Sequence, residues 1–260
     1  MTDTVPDAAC SVDSFHRDAF RLVQPVRRGH RAGVDAMLVA SALPGSFSGA
    51  VADLGAGAGA AGFAVAARCP QTHITLVENA PEMAGFARRS IALAKNSALA
   101  PRISVLEADV TLTGTAREAA GLGRNAFSGV VMNPPFNSAS DRATPDALKR
   151  AAHVMADDLF ETWLRTAAAI TAPGGLLALI ARPASLAAIL AALEGRFGGA
   201  RIVPVHGRAE SPAIRILIRA RKGNRAGLTL EPPLVLRDRD NQVTERAEAL
   251  TNGQAALFGD

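Results

Sequence analysis

The chain of 260 residues has no tyrosine, a single tryptophan and only two cysteines, Cys10 and Cys69. Two cysteines exclude a disulfide framework and a cysteine-built zinc site, and no metal is expected. The sequence also lacks any apolar run long enough to cross a bilayer. Its most apolar region, Gly174 to Leu193, is broken by Arg182 and Pro183. The first residues, Met1 to Phe20, are polar and of mixed charge, without the apolar stretch a secretory leader requires. These absences predict a cytoplasmic protein that makes no use of a membrane. With 48% hydrophobic and 20% charged residues, the composition is that of a folded chain, not a disordered one.

What charge there is, is unevenly placed. The net charge is +4, yet 201–225 alone holds seven basic residues, Arg201, Arg208, Arg215, Arg219, Arg221, Lys222 and Arg225, against one acid, Glu210. A second basic stretch, Arg17 to Arg31, includes Arg21, Arg27 and Arg28 and is opposed only by Asp18. Clustered Lys and Arg suit a polyphosphate partner, whose counterions they release. The competing reading is a solvated face that keeps the protein soluble.

Short apolar runs alternate with longer helical patterns. The runs are Ala50–Leu54, His73–Val77, Ile103–Leu106, Gly129–Met132 and Leu176–Ile180, with Ala-rich stretches such as Ala80–Lys95 and Leu159–Ile170 between them. This alternation predicts an α/β fold: a doubly wound, mostly parallel sheet of seven strands, covered by helices on both faces. A helix at Ser185–Leu193 precedes two further strands, Arg201–Val205 and Ala213–Arg219. These are joined by the short loop His206–Pro212 and should form an antiparallel C-terminal pair. In the tail, a run at Leu230–Leu236 is interrupted by Pro232 and Pro233. No internal repeat or low-complexity linker divides the chain. One domain is therefore expected, with residues 1–49 an N-terminal extension and helix packed on a catalytic unit at 50–260.

The first strand runs into Val51-Ala-Asp-Leu-Gly-Ala-Gly-Ala-Gly59. Glycines here allow a tight strand-to-helix turn and let a ligand approach the backbone. Glu78 ends the next strand, where a carboxylate can bind a ribose diol. Gly57, Gly59 and Gly62 also fit the dinucleotide fingerprint G-x-G-x-x-G. Asp53 argues against that ligand, because it directs an acid toward the place a pyrophosphate would occupy. The same acid suits a ligand carrying an ammonium group. Asp109 follows the third strand and could accept from an adenine amino group, its alternative role being a turn or helix-cap aspartate. An acid after each of three successive strands fits S-adenosylmethionine, with its ammonium, ribose and adenine.

The fourth strand ends in Asn133-Pro134-Pro135-Phe136. Pro134 holds Asn133 out of the helical region. The Asn133 side-chain oxygen and the Pro134 carbonyl could then accept both hydrogens of one planar NH2 group, aiming its lone pair at a methyl donor. Phe136 offers a face for a base to stack on. A strong general base is not needed, since the methylated ammonium product is itself acidic. Catalysis would rest on positioning and electrostatics. His30 and His153 therefore have no required chemical role.

The series Asp53-Leu-Gly-Ala-Gly-Ala-Gly59, Glu78, Asp109 and Asn133-Pro-Pro-Phe136 resembles the Rossmann-like class I S-adenosylmethionine-dependent methyltransferases that modify exocyclic or amide nitrogens. Gly33-Val-Asp35-Ala-Met-Leu-Val-Ala40, Arg208-Ala-Glu-Ser-Pro-Ala213 and Leu230-Glu-Pro-Pro-Leu-Val-Leu-Arg237 are similar to segments of the bacterial tRNA1(Val) (adenine-37-N6)-methyltransferase family. The similarity covers most of the chain. It implies methyl transfer to adenine N6 in a tRNA anticodon loop, with Asp35, Asp53, Gly55, Gly57, Gly59, Glu78, Asp109 and Asn133 around the cofactor. The tetrad Asn133, Pro134, Pro135 and Phe136 would be catalytic. Phe136 stands where this family often has tyrosine, and 137–153 departs from the family where a substrate loop would run. Arg27, Arg28, Arg31, Arg142, Lys149, Arg150, Arg219, Arg221 and Lys222 are the expected RNA contacts. Guanine N2, a protein glutamine amide, or a small-molecule hydroxyl are the competing acceptors. An RNA-binding module on a silent methyltransferase scaffold is the competing class.

Overall fold

The computed structural model describes residues 10–26, 33–135 and 147–260, and for 147–158 the backbone alone. An antiparallel hairpin, β1 (Cys10–Phe15) and β2 (Phe20–Pro25), comes first, followed by α1 (Val34–Ser41). The alternating unit follows: β3 (Ser48–Leu54), α2 (Ala60–Arg68), β4 (Gln71–Glu78), α3 (Pro81–Ala92), β5 (Ile103–Glu107), α4 (Gly114–Ala119), β6 (Phe127–Met132), α5 (Ala147–Ile170), β7 (Thr171–Ala181) and α6 (Leu186–Leu193). The chain closes with β8 (Phe197–Arg208), β9 (Ala213–Lys222), β10 (Thr229–Leu230), β11 (Leu234–Arg237) and α7 (Glu245–Thr251).

The main sheet runs β5-β4-β3-β6-β7-β9-β8, and β10 and β11 add to the outer edge of β8. The seven predicted strands form its body, and the two short edge strands bring it to nine. All pairs from β5 to β7 are parallel, and β9 lies antiparallel between β7 and β8. The expected interruption at Pro232 and Pro233 separates β10 from β11, because proline lacks the N–H a ladder needs.

Strand alternation divides the apolar residues between two layers. Val51, Val131, Ala178, Ile180 and Leu217 face the layer with α1 and α2. Ala52, Leu54, Val130, Met132 and Leu179 face α5 and α6 on the other side. Each fully buried Val, Leu or Ile contributes roughly 1.5–3 kcal/mol, so these two layers dominate the stability. Asp53 falls on the α2 side by the same period-two rule.

The hairpin was not expected from the sequence. It lies against α3 through Val23 N–H to Ser90 Oγ (2.9 Å) and against the turn that follows α3 through a two-way bond between Asn96 and the Arg21 backbone (2.9 and 2.6 Å). Phe20 stacks on Phe63 of α2, which carries it into the α1–α2 layer. Among the described residues no helix is long and apolar enough to cross a membrane. No group of three or more His, Cys, Asp or Glu among them could hold a metal ion.

Candidate active site

The functional residues collect at the C-terminal ends of the parallel strands, where helix N-termini also converge. β3 ends in a turn whose Gly55 and Ala56 N–H groups both donate to the Val77 carbonyl, at 2.9 and 3.0 Å. Gly55 has φ +68°, and a Cβ there would come within 2.5 Å of the Trp163 ring. Only glycine fits that position. Gly59, at φ +94°, then starts α2.

Asp53 is 2% exposed, and its Oδ2 accepts the Gly62 N–H of α2 at 2.8 Å. Burial pushes its pKa from the ordinary 3.8 to about 7, with the Gly62 N–H opposing and the Glu78 carboxylate adding to the rise. The group is thus an acid that a ligand cation would ionise. Glu78 ends β4 and holds the glycine turn: Oε2 accepts Gly57 N–H and Oε1 accepts Ala80 N–H, both at 2.8 Å. Each carboxylate oxygen has a second lone pair with which to accept from a diol.

Asn133, Pro134 and Pro135 follow β6 and line the same cavity, whose volume is about 530 Å³. That is within the usual range for a ligand pocket, about 300–1,000 Å³. Asn133 Oδ1 is buried and has no hydrogen-bond partner among the described residues. An orphaned buried acceptor costs about 1–3 kcal/mol, so its retention at this point marks a place where a donor is to be received. Asp35, in the first turn of α1, also lines the cavity; its Oδ2 accepts from Arg215 Nε at 2.8 Å.

Asp109 is placed differently from its companions. Its neighbours Ala108 and Val110 line the cavity, while its own Oδ1 accepts the Thr111 N–H at 2.8 Å. This is the turn role weighed against cofactor binding. Among the lining residues that the sequence did not place in the site are Asn79, Met83, Trp163 on α5, Arg182 after β7 and Arg215 on β9. Arg182 carried a readable signal, since it ends its strand as Glu78 and Asn133 end or follow theirs. Arg215 was one arginine among seven, and nothing local set it apart.

The three expected RNA contacts on the hairpin, Arg219, Arg221 and Lys222, are held by partners within the chain. Arg219 is 8% exposed and clamped on Asp260 at 2.8 and 2.7 Å, with Phe258 stacked under its guanidinium. Its charge serves the fold. Arg221 pairs in register with Leu176 near the start of β7 and donates to the Gly174 carbonyl at 2.6 Å. Lys222 donates to the Thr171 carbonyl and Asn125 Oδ1 at 2.6 and 2.8 Å. Both therefore occupy the edge of the sheet opposite the cavity, because β9 runs antiparallel to its neighbours. Arg27, Arg28, Arg31, Phe136 and Arg142 lie outside the described residues, as do the side chains of Lys149 and Arg150 and the two histidines His30 and His153.

The residues present fit S-adenosylmethionine. A buried acid sits beside a glycine turn that a Cβ would obstruct, a second acid braces that turn, and an orphaned amide oxygen lies beyond. Fold and site together define an S-adenosylmethionine-dependent methyltransferase. The methyltransferase small domain matches residues 31–206, and the chain belongs to that family. A predicted O-methyltransferase from Agrobacterium tumefaciens, protein Atu636, is 46% identical over 86% of this chain and 98% of its own, with a TM-score of 0.75. The T. thermophilus 16S rRNA N2 G1207 methyltransferase, solved with AdoMet and guanosine, is 20% identical over 82% of this chain and half (50%) of its own, with a TM-score of 0.53. TYW2 of P. horikoshii, in complex with MeSAdo, is 12% identical over 83% of this chain and 72% of its own (TM-score 0.52). No curated protein matches.

Proposed function

We propose that this methyltransferase transfers its methyl group to the exocyclic N6 amine of adenine in tRNA, at anticodon-loop position 37, and works in the cytoplasm. The observation that carries the amine acceptor is the orphaned Asn133 Oδ1, held in the cavity next to Pro134. S-adenosylmethionine, when bound, supplies an electrophilic methyl group. Asp53 would take the cofactor's ammonium, and Glu78 its ribose hydroxyls. Asp109, beside the lining residues Ala108 and Val110, is assigned to the adenine end of the cavity. Asn133 Oδ1 and the Pro134 carbonyl accept the two amine hydrogens, which orients the nitrogen lone pair and offsets its growing positive charge. Phe136 would stack on the acceptor base. For a base within a stacked loop, this requires extrusion. The adenine and tRNA assignments are supported by the resemblance of Gly33–Ala40, Arg208–Ala213 and Leu230–Arg237 to the adenine-37-N6 family.

One observation favours a second reading. The 46%-identical relative is a predicted O-methyltransferase. A hydroxyl acceptor would need a base to remove its proton. Among the described lining residues there is no histidine, and the carboxylates Asp53, Glu78 and Asp35 are taken up by the cofactor's ammonium, its ribose and Arg215 in this reading. The amine reading makes use of Asn133, and the hydroxyl reading does not. Methyl transfer from radiolabelled S-adenosylmethionine to total tRNA, ribosomal RNA and a small-molecule pool, followed by nucleoside mass analysis, separates them. N6-methyladenosine in tRNA is expected. Label confined to small-molecule hydroxyls would overturn the proposal.

A further inference from the structure

The cavity reads as a line of chemistry across successive strand ends. Glu78 closes β4, Asp53 and Gly55 lie at the end of β3, and Asn133 follows β6. Arg182 then follows β7, and Arg215 lies near the start of the antiparallel β9, one residue before the Ala181–Ile216 register pair. Both arginines line the cavity with Asn133. The strand order β6-β7-β9 places the backbones of Arg182 and Arg215 one and two strands beyond the amine-holding residue. They are on the side away from Glu78.

Acids and cations are thus sorted along the cavity. Asp53 and Glu78 occupy the glycine-turn half, and Arg182 and Arg215 the other half. Among the described lining residues, the acid in the second half is Asp35, which fixes Arg215 through Nε at 2.8 Å while the guanidinium also donates to the Ile214 carbonyl at 2.8 Å. That pairing orients the guanidinium before any ligand arrives, which lowers the ordering cost of binding.

We propose that Arg182 and Arg215 form an anion subsite that takes the phosphate attached to the acceptor nucleotide, with Asp35 as the positioning residue for Arg215. The inference rests on the nucleotide-acceptor reading above and adds where the substrate backbone lies. A base whose amine reaches Asn133 carries its sugar-phosphate along the cavity, and Arg182 and Arg215 line it on the strands next in order. Guanidinium is suited to this task because its planar fork matches two phosphate oxygens.

The test uses the full chain saturated with S-adenosylhomocysteine, the demethylated product, and a fluorescent single-stranded RNA of eight nucleotides in an anisotropy titration. Arg182→Gln and Arg215→Gln are each expected to weaken RNA binding about tenfold. Each should also flatten the salt dependence of log K by about 0.7, one phosphate's worth for a single strand. S-adenosylmethionine affinity by calorimetry should stay within twofold. Arg221→Gln, at the opposite edge of the sheet, should change neither. RNA affinity and salt slope unchanged in both cavity variants would overturn the subsite, as would a tenfold loss of cofactor affinity with RNA binding intact. Adenosine 5′-monophosphate in place of RNA distinguishes a free nucleotide from a chain. Arginine-dependent RNA binding by a wild-type enzyme that methylates no nucleic acid would leave the subsite standing and remove the proposed function instead.

Discussion

Asp53 illustrates how one buried residue exchanges stability for binding. The rise of its pKa from 3.8 to about 7 means that the folded chain holds a proton the unfolded chain releases. Stability is therefore greatest below pH 3.8 for this group and declines as pH rises from about 4 to 7, by up to roughly 4 kcal/mol. Asp53→Asn keeps an acceptor for the Gly62 N–H and removes the charge. The cofactor-free variant should melt higher than wild type at pH 8, with its advantage growing between pH 4 and 7 and then levelling. Its S-adenosylmethionine affinity should fall at least tenfold. Thermal melts across pH, paired with calorimetry at pH 8, check both halves, and a variant no more stable than wild type at pH 8 would remove the buried-charge argument. Asn133→Ala probes the other end of the line: kcat should drop by 10²–10³, the usual loss for one oriented partner of a transition-state charge. Cofactor affinity should remain within about twofold, and retained turnover would exclude the amine-holding role.

At the scale of elements, the glycine turn and α2 act as a unit. Gly62 packs so closely on β4 that a Cβ would collide with Leu76 and come within 2.9 Å of Ile74 Cγ2 and 3.2 Å of Asp53 Oδ2. Gly62→Ala should therefore cost about 1–3 kcal/mol through overpacking and push α2 away from Asp53. Denaturant unfolding reads the first effect, and a weakened cofactor affinity reads the second. The strands and this turn were legible in the sequence because periodicity and glycine demand are local properties. Leu176–Ile180 and the start of α2 at Gly59 needed no distant partner to be recognised. The β8–β9 hairpin was legible as a hairpin, yet its arginines were not legible as contacts. Their fates follow from strand direction and pleat, which send Arg215 to the cavity edge, Arg221 to the far edge and Arg219 under the tail. The β1–β2 hairpin left almost no local signal, since three consecutive residues at positive φ, His16, Arg17 and Asp18, make its turn without a glycine.

Across the whole molecule, the C-terminal tail closes over the sheet. The Phe258 ring lies under both the Arg201 and Arg219 guanidinium groups at 4.6 and 4.3 Å, and the Leu257 N–H donates to the Ser41 carbonyl at 2.8 Å. Arg68, half-buried between α1 and the tail, donates to the Ala40, Leu43 and Ala255 carbonyls. Arg219→Ala should cost about 1–3 kcal/mol by freeing this tail and leaving the Ala42 carbonyl short of a donor. A melting temperature several degrees lower, with the salt dependence of RNA binding unchanged, would match that structural role. A flattened salt slope would return Arg219 to the RNA interface. The sequence by itself determined the alternating layers, the order of the strand-end acids and the Asn133-Pro134-Pro135 turn, because these arise from short-range periodicity and backbone restriction. Only the tertiary structure decided that Asp53 is buried deeply enough to hold its proton, that Arg182 joins Arg215 beside Asn133, and that Arg219 is buried against the tail. Burial, strand register and charge pairing join residues as far apart as Asp35 and Arg215, and no local pattern encodes them.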